Sequence, residues 1–239
     1  MISPSIPTAS ALLLVAWLSI PLGVSRSASL ATETPVAVPS HQHRAARPVE
    51  KIRYSEFNHQ VSGMMVLAIG LLAMSMEIGL ARRPDLHAMQ WLWPAGWLLL
   101  GAFLFIRNDP DNWPWGPIGL MDTSLDPETL QHQVFTLVVM AIGVIEGLRT
   151  GRRLNGRGWG LLFPLLGIGS GVVLGLHAQV HVLSPHVYLQ HTALALVAIL
   201  VGVSKLLRER GKMPGFYGSL LWPALLMLLG MQLLFYTEH

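Results

Sequence analysis

Two stretches of this sequence open with the same three residues: LQHQVFTLVVMAIG, residues 130–143, and LQHTALALVAILVG, residues 189–202. A third, FNHQVSGMMVLAIG, residues 57–70, also has a His at its third position and a Gly eleven residues later. A membrane span requires about 20 residues, so each apolar run can cross a bilayer once its polar flanks are included. The three stretches therefore predict three membrane helices that begin alike.

The composition assigns the whole chain to the membrane class. Of its 239 residues, 52% are hydrophobic and 12% are charged, whereas soluble domains are about 25% charged. Basic residues in such a chain record topology, so the net charge of +3 indicates no nucleic-acid partner. The absence of cysteine excludes disulfides, thiolate metal sites, iron–sulfur clusters and haem attached through a C-x-x-C-H motif.

The N-terminal region predicts a signal peptide followed by a tail. The apolar run at residues 11–24 has the length of a signal-peptide core, is short for a span, and is followed by small residues. We assign residues 1–31 to a signal peptide, with an uncleaved seventh helix as the alternative. Residues 32–57 are polar, contain proline and lack periodicity, which predicts a flexible extracytoplasmic tail.

The remaining residues, 58–239, predict an all-α membrane domain with six transmembrane helices. Three of the connections, at 81–87, 148–158 and 205–215, carry ten of the sixteen basic residues. The positive-inside rule places these loops in the cytoplasm and both mature termini in the periplasm. The predicted location is therefore the inner membrane of a bacterium, with lipid as the surrounding partner.

The even-numbered helices also share a pattern, an aromatic-Pro pair with a Gly seven residues after the Pro. The three cases are WPAGWLLLG with Pro94 and Gly101, FPLLGIGSG with Pro164 and Gly171, and WPALLMLLG with Pro223 and Gly230. Together with the His-Gly pattern, they predict three tandem helical hairpins at about residues 56–110, 128–179 and 188–239. We expect the shared glycines at close helix contacts.

Histidines concentrate at the predicted outer face. His59, His132 and His191 begin the odd helices, and His177 and His181 lie four residues apart near the end of the fourth helix. That spacing suits two ligands of one metal, and grouped imidazoles are preferred ligands of copper, zinc and haem iron. Placing several imidazoles near hydrocarbon is costly, so the group predicts a metal or haem site rather than packing alone.

Two carboxylates, Glu77 and Glu146, lie within apolar segments, where an acidic residue is a functional candidate by default. Both fall near predicted cytoplasmic helix ends, close in sequence to Arg82 and Arg149. Ion pairing at the membrane interface is therefore the predicted role of both.

Three motifs carry a family resemblance: RNDPDNWPWGP at 107–117, LDPETLQHQVF at 125–135 and FPLLGIGSGVVLGLHAQVH at 163–181. They are similar to the copper-resistance D family of bacterial polytopic membrane proteins, over residues 57–239. The resemblance implies an inner-membrane protein that handles copper at its periplasmic face. It also implies ligand positions at His59, His132, His177, His181 and His191.

Three functions remain open, and none of them is enzymatic. The first is copper binding with transport or resistance, in partnership with a periplasmic copper chaperone or a larger membrane complex. The second is electron transfer by a subunit whose histidines ligate a b-type haem. The third is a non-catalytic structural subunit. The histidines stand at the membrane face rather than deep in the helices, which favours copper.

Overall fold

The computed structural model describes residues 48–80, 84–107, 127–180 and 184–238, together with the single positions 111, 116 and 119. This part contains six α-helices and two 3-10 helices, and no strand. The α-helices are α1 Pro48–Glu77, α2 Leu92–Ile106, α3 Pro127–Thr150, α4 Leu162–Val180, α5 Pro185–Glu209 and α6 Gly215–Leu234. The 3-10 helices, Pro84–Trp91 and Arg157–Leu161, directly precede α2 and α4. The predicted all-α class is confirmed, and the predicted signal peptide lies outside the described residues.

Within the described residues, six stretches are long and apolar enough to cross a membrane, as predicted. They are Val49–Glu77, Leu86–Ile106, His132–Thr150, Gly158–Leu176, Pro185–Glu209 and Gly215–Leu234. Large apolar side chains also cover the outside of the bundle: Leu99 is 64% exposed and Leu189 is 67% exposed. A surface of this kind suits surrounding lipid rather than water.

The start of α1 corrects one prediction. The helix begins at Pro48, so residues 48–57 are helical rather than part of a flexible tail. Proline suits a helix start, and Tyr54 and Phe57 both pack on the Arg107 guanidinium, at 4.3 and 5.3 Å from their ring centroids. These contacts join residues distant in sequence, which is why local composition did not reveal the helix. The rest of the predicted tail, residues 32–47, lies outside the described residues.

Each odd helix packs most extensively against an even helix from a different predicted hairpin. The three pairs are α1 with α6, α3 with α2 and α5 with α4. Neighbouring pairs also touch within a hairpin, as α5 does with α6 and α1 with α2. These contacts link the six helices into one bundle.

Glycines make these close pairs possible, as the sequence predicted. A Cβ added to Gly202 would lie 2.6 Å from the Pro164 carbonyl oxygen, which leaves no room for a side chain. The contacts are also matched: each of the three partners stands four residues after its Pro. The pairs are Gly70 with Met227, Gly143 with Leu98 and Gly202 with Ile168.

An aromatic block fills the bundle towards the end where the basic loops lie. Trp93, Phe163 and Trp222 form a triangle with ring centroids 5.7, 5.7 and 6.0 Å apart. Each of these residues immediately precedes the Pro of its helix, so three similar sequence positions meet in one place. Pro223, unlike the other two prolines, lies well inside its helix, because α6 begins at Gly215.

Candidate functional site

The end of the bundle where the odd helices begin holds a cluster of three rings. We call it the outer end, after the predicted topology, and call His59, His191 and Tyr236 the outer ring cluster. The Tyr236 ring stacks on His59 with centroids 3.9 Å apart and meets His191 edge-on at 5.7 Å. The two imidazole centroids are 6.4 Å apart. The cluster therefore joins α1, α5 and the residues that follow α6.

Both imidazoles are oriented by the backbone of their own helix. His59 Nδ1 lies 2.8 Å from the Ser55 carbonyl oxygen, and His191 Nδ1 lies 2.9 Å from that of Val187. A carbonyl oxygen only accepts, so Nδ1 carries the hydrogen and donates it. In the neutral ring the free lone pair is then on Nε2, and no described residue donates a hydrogen bond to that atom in either ring. This is how second-shell carbonyls orient metal-ligating histidines.

The residues after α6 form a strap across the outer end, which we call the C-terminal strap, residues 235–238. The side chain of Gln190 binds the Thr237 backbone twice, donating to its oxygen at 2.7 Å and accepting from its nitrogen at 3.2 Å. His186 Nε2 lies 3.1 Å from the Thr237 hydroxyl, and the Glu238 N–H donates to Glu56 at 2.8 Å. The strap thereby holds Tyr236 in the cluster, where it is only 2% exposed.

Tyr236 is neutral in this position. Burial raises the pKa of its phenol above the usual range, and the nearby carboxylates of Glu238 and Glu56 raise it further. The Tyr236 hydroxyl donates to the Glu238 carboxylate at 3.3 Å. At physiological pH the ring therefore enters the cluster as an uncharged hydrogen-bond donor.

The structure describes the other three predicted ligands, His132, His177 and His181, in less detail. His132 is exposed at the outer end of α3 and lies close enough to His59 for an electrostatic interaction. His177 lies in the last turn of α4, with its side chain outside the described set, and His181 lies outside the described residues altogether. Within the described part of the chain, no group of three or more His, Cys, Asp or Glu side chains is arranged to hold a metal ion. The structure thus brings together His59 and His191, with His132 nearby.

A second polar level, which sequence reasoning did not single out, lies about one helical turn further in. Ser62, three residues after His59, is 6% exposed, and Thr136, four residues after His132, is 2% exposed. Gln232 stands four residues before Tyr236. Ser62 Oγ and Gln232 Oε1 are buried and bond to no described residue, which is uncommon in a native interior. The sequence signal for this level is that each of these polar residues stands three or four positions, about one helical turn, from a His or Tyr of the outer end.

The opposite end, which we call the inner end, is held by paired charges. Glu146 accepts from Trp93 Nε1 at 3.1 Å and from Arg149 at 2.7 Å, as the predicted ion pair requires. Glu77 accepts from Trp222 Nε1 at 3.0 Å and pairs with Arg208 at 3.3 Å. Ion pairing of Glu77 is therefore confirmed with a different partner, because the end of α5 lies beside it; Arg82 lies outside the described residues.

Glu209 completes this inner charge network. Its carboxylate lies 3.0 Å from Lys205 and 3.8 Å from Arg149.

Comparison with protein-family models, with curated proteins and with solved structures finds no match for this chain. Its function must therefore be inferred from the chemistry of its two polar ends.

Proposed function

We propose that this chain is a bacterial inner-membrane protein that binds copper at its periplasmic face and takes part in copper transport or resistance. The observation that carries the proposal is the matched pair His59 and His191. Each directs its Nδ1 hydrogen to a carbonyl of its own helix and leaves Nε2 without a described partner. Imidazole nitrogen binds copper strongly, and the chain has no cysteine to compete with it.

We also propose that the bundle consists of three tandem hairpin repeats, because equivalent positions of the repeats then supply further copper ligands. The residue before each of two repeat histidines ties its helix to the end of the same hairpin. Asn58 donates to the Arg107 oxygen at 2.9 Å, as Gln190 does to Thr237 at 2.7 Å. The matched glycine contacts between hairpins support the same symmetry.

By this symmetry, His177 corresponds to Tyr236, since each stands thirteen residues after its Pro. Tyr236 follows α6, which packs on α1, and His177 lies in the last turn of α4, which packs on α5. His177 is therefore the third proposed ligand beside His191, with His181 and His132 as the further ones. Copper needs only three or four convergent donors of this kind.

The close packing of the bundle interior supports binding and transfer of copper at the outer end rather than passive flow through an open pore. Below the second polar level, apolar side chains such as Val66 and Leu100 pack against the aromatic block. An ion crossing the bundle would have to displace Trp93, Phe163 and Trp222, whose rings are in mutual contact. A periplasmic chaperone that docks at the outer end is the partner this arrangement suits.

The geometry favours copper over a b-type haem. A haem held between His59 and His191 would need both Nε2 atoms to point at one iron, with room between the two rings for a porphyrin. Here the Tyr236 ring is stacked against His59, and His59 and His191 meet edge to face at 6.4 Å. A porphyrin would have to replace Tyr236 and break the contacts of the C-terminal strap.

Copper titration of the purified full chain tests the proposal. His59→Phe and His191→Phe preserve a ring at each position but remove the nitrogen ligands, so the double variant should lose bound copper and remain folded. His87→Phe is the control, since His87 is exposed near α2 and bonds to Gln90 at 2.8 Å. Copper affinity of the wild type should weaken at pH values low enough to protonate the imidazoles, because the ligand is the neutral ring.

Equal copper binding by the wild type and the double variant would refute this site. A visible absorption spectrum of the same sample decides between the alternatives. A Soret band would establish haem, whereas a protein that binds neither would be a structural subunit.

A further inference from the structure

A cavity of about 660 Å³ opens at the inner end, between the 3-10 helix before α4 and the end of α5. Its lining residues are Gly158, Leu161, Glu209, Arg210, Gly211 and Lys212. None of these residues takes part in the proposed copper site, which lies at the opposite end of the bundle. We propose that this cavity binds the headgroup of an anionic phospholipid.

The cavity lies at the depth of lipid headgroups. Gly158 is the first residue of one candidate span, Gly158–Leu176, and Glu209 is the last residue of another, Pro185–Glu209. Leu161 is already within its span, so the lining passes from apolar to charged across the boundary of the hydrocarbon. Trp159, next to Gly158, and Tyr217, near the start of α6, are 39% and 87% exposed, as suits aromatic side chains at a membrane interface.

The charge of the lining is positive. The one acidic side chain, Glu209, is already neutralised by Lys205 at 3.0 Å and by Arg149 at 3.8 Å. Arg210 and Lys212 are exposed, and neither forms an ion pair with any residue of the described chain. The cavity therefore offers two cationic side chains to a phosphodiester, which Arg can bind through two parallel N–H groups.

The shape leaves room for such a group. A Cβ built on Gly158 or on Gly211 would meet nothing within 4 Å, so neither glycine is covered by a neighbouring side chain. A lipid anchored by its chains is held at this depth and at high local concentration, whereas free phosphate is diluted in water and its attraction is screened by salt. Basic pockets between helices at the membrane surface bind acidic headgroups in this way.

Native mass spectrometry of the full chain with phosphatidylglycerol or phosphatidylcholine tests the inference. The wild type should retain one phosphatidylglycerol more tightly than any phosphatidylcholine. The double variant Arg210→Gln, Lys212→Gln should weaken lipid retention at least about tenfold, since each hydrogen bond to a charged group contributes substantially to the free energy of binding. Arg152→Gln with Arg153→Gln removes the same charge from the same end outside the cavity lining, and should leave retention unchanged.

A second variant separates cavity shape from charge. Gly158→Leu keeps every charge and places a side chain in open space, so it should fold normally and still lose the lipid. Equal losses in the two double-charge variants would show only general attraction to acidic lipid and would overturn the proposal. Displacement of the lipid by soluble glycerol phosphate at comparable concentration would show a free-phosphate site and overturn it as well.

Discussion

The two ends of the bundle satisfy their polar side chains in opposite ways. At the inner end Glu77, Glu146 and Glu209 all meet a Lys or Arg side chain, and two of them also accept from a Trp N–H. At the outer end His59 and His191 use one nitrogen on their own helix, while buried Ser62 Oγ and Gln232 Oε1 bond to no described residue. Paired charges stabilise the inner end, whereas the imidazole nitrogens and buried polar atoms without described partners at the outer end are the basis of the proposed copper site.

Removing Glu146 should produce the largest effect on stability. Glu146→Ala takes the acceptor from both Trp93 Nε1 and Arg149 at a site where Glu146 is only 9% exposed. Breaking a buried pair costs about 3 kcal/mol, so the free energy of unfolding should fall by about that amount. Glu146→Gln retains an acceptor for Trp93 and should lose less. Thermal unfolding in detergent measures the stability of both variants. An unchanged midpoint for Glu146→Ala would show that the inner charge network does not stabilise the fold.

The glycine contacts that hold the helices between the two ends should come next. Gly202→Ala places a Cβ 2.6 Å from the Pro164 oxygen and forces α5 away from α4. Overpacking of this kind costs about 2 kcal/mol of unfolding free energy. Gly158→Ala is the matched control, because its Cβ meets nothing within 4 Å, and it should change stability by less than about 0.5 kcal/mol. Similar losses from both substitutions would contradict the close contact.

Loosening the C-terminal strap should have a smaller and more local effect. Gln190→Ala removes both hydrogen bonds to the Thr237 backbone, which together contribute about 1–2 kcal/mol. Hydrogen exchange at the strap should accelerate, while exchange in the inner halves of the helices stays the same. Gln90→Ala, at a half-buried residue that bonds to His87 far from the strap, should leave the strap protected. Uniform acceleration throughout the chain would show that the strap does not open independently.

The smallest effect concerns alkaline pH. Because burial raises the pKa of Tyr236 in the folded state, its contribution to stability is fully present below pH about 10 and is lost as pH rises beyond that value. Tyr236→Phe cannot ionise, so the stability of the wild type should fall relative to this variant as pH rises above about 10. Tyr217→Phe, at a side chain 87% exposed, should leave the pH profile of the wild type unaltered. Parallel profiles for wild type and Tyr236→Phe would show that the phenol is not buried in solution.

Local pattern was sufficient for several features of this bundle. Apolar runs of spanning length identified the six helices, because a bilayer accepts only segments whose backbone is internally hydrogen-bonded. The recurring glycines marked close contacts, since a helix can approach another closely only where Cβ atoms are missing. Glu146 and Arg149 are three residues apart on one helix, so their pairing followed from helical geometry.

Other features depended on which helices meet, and the sequence could not supply that. Glu77 pairs with Arg208 across 131 positions, and the strap binds Gln190 and Glu56 from two different helices. Residues 48–57 were predicted to be a tail, because the contact between Tyr54 and Arg107, the residue after α2, joins positions distant in sequence.

The sequence by itself determined the membrane class, the six helices of the described residues and the end at which histidines concentrate, because each follows from hydropathy and spacing along one chain. Only the tertiary structure decided that His59 and His191 share a cluster with Tyr236, and that Gln190 holds the residues after α6 across them. The physical reason is that contacts between side chains of different helices form only when the helices close against one another. Periodicity fixes which face of a helix a side chain occupies, and packing decides what that face meets.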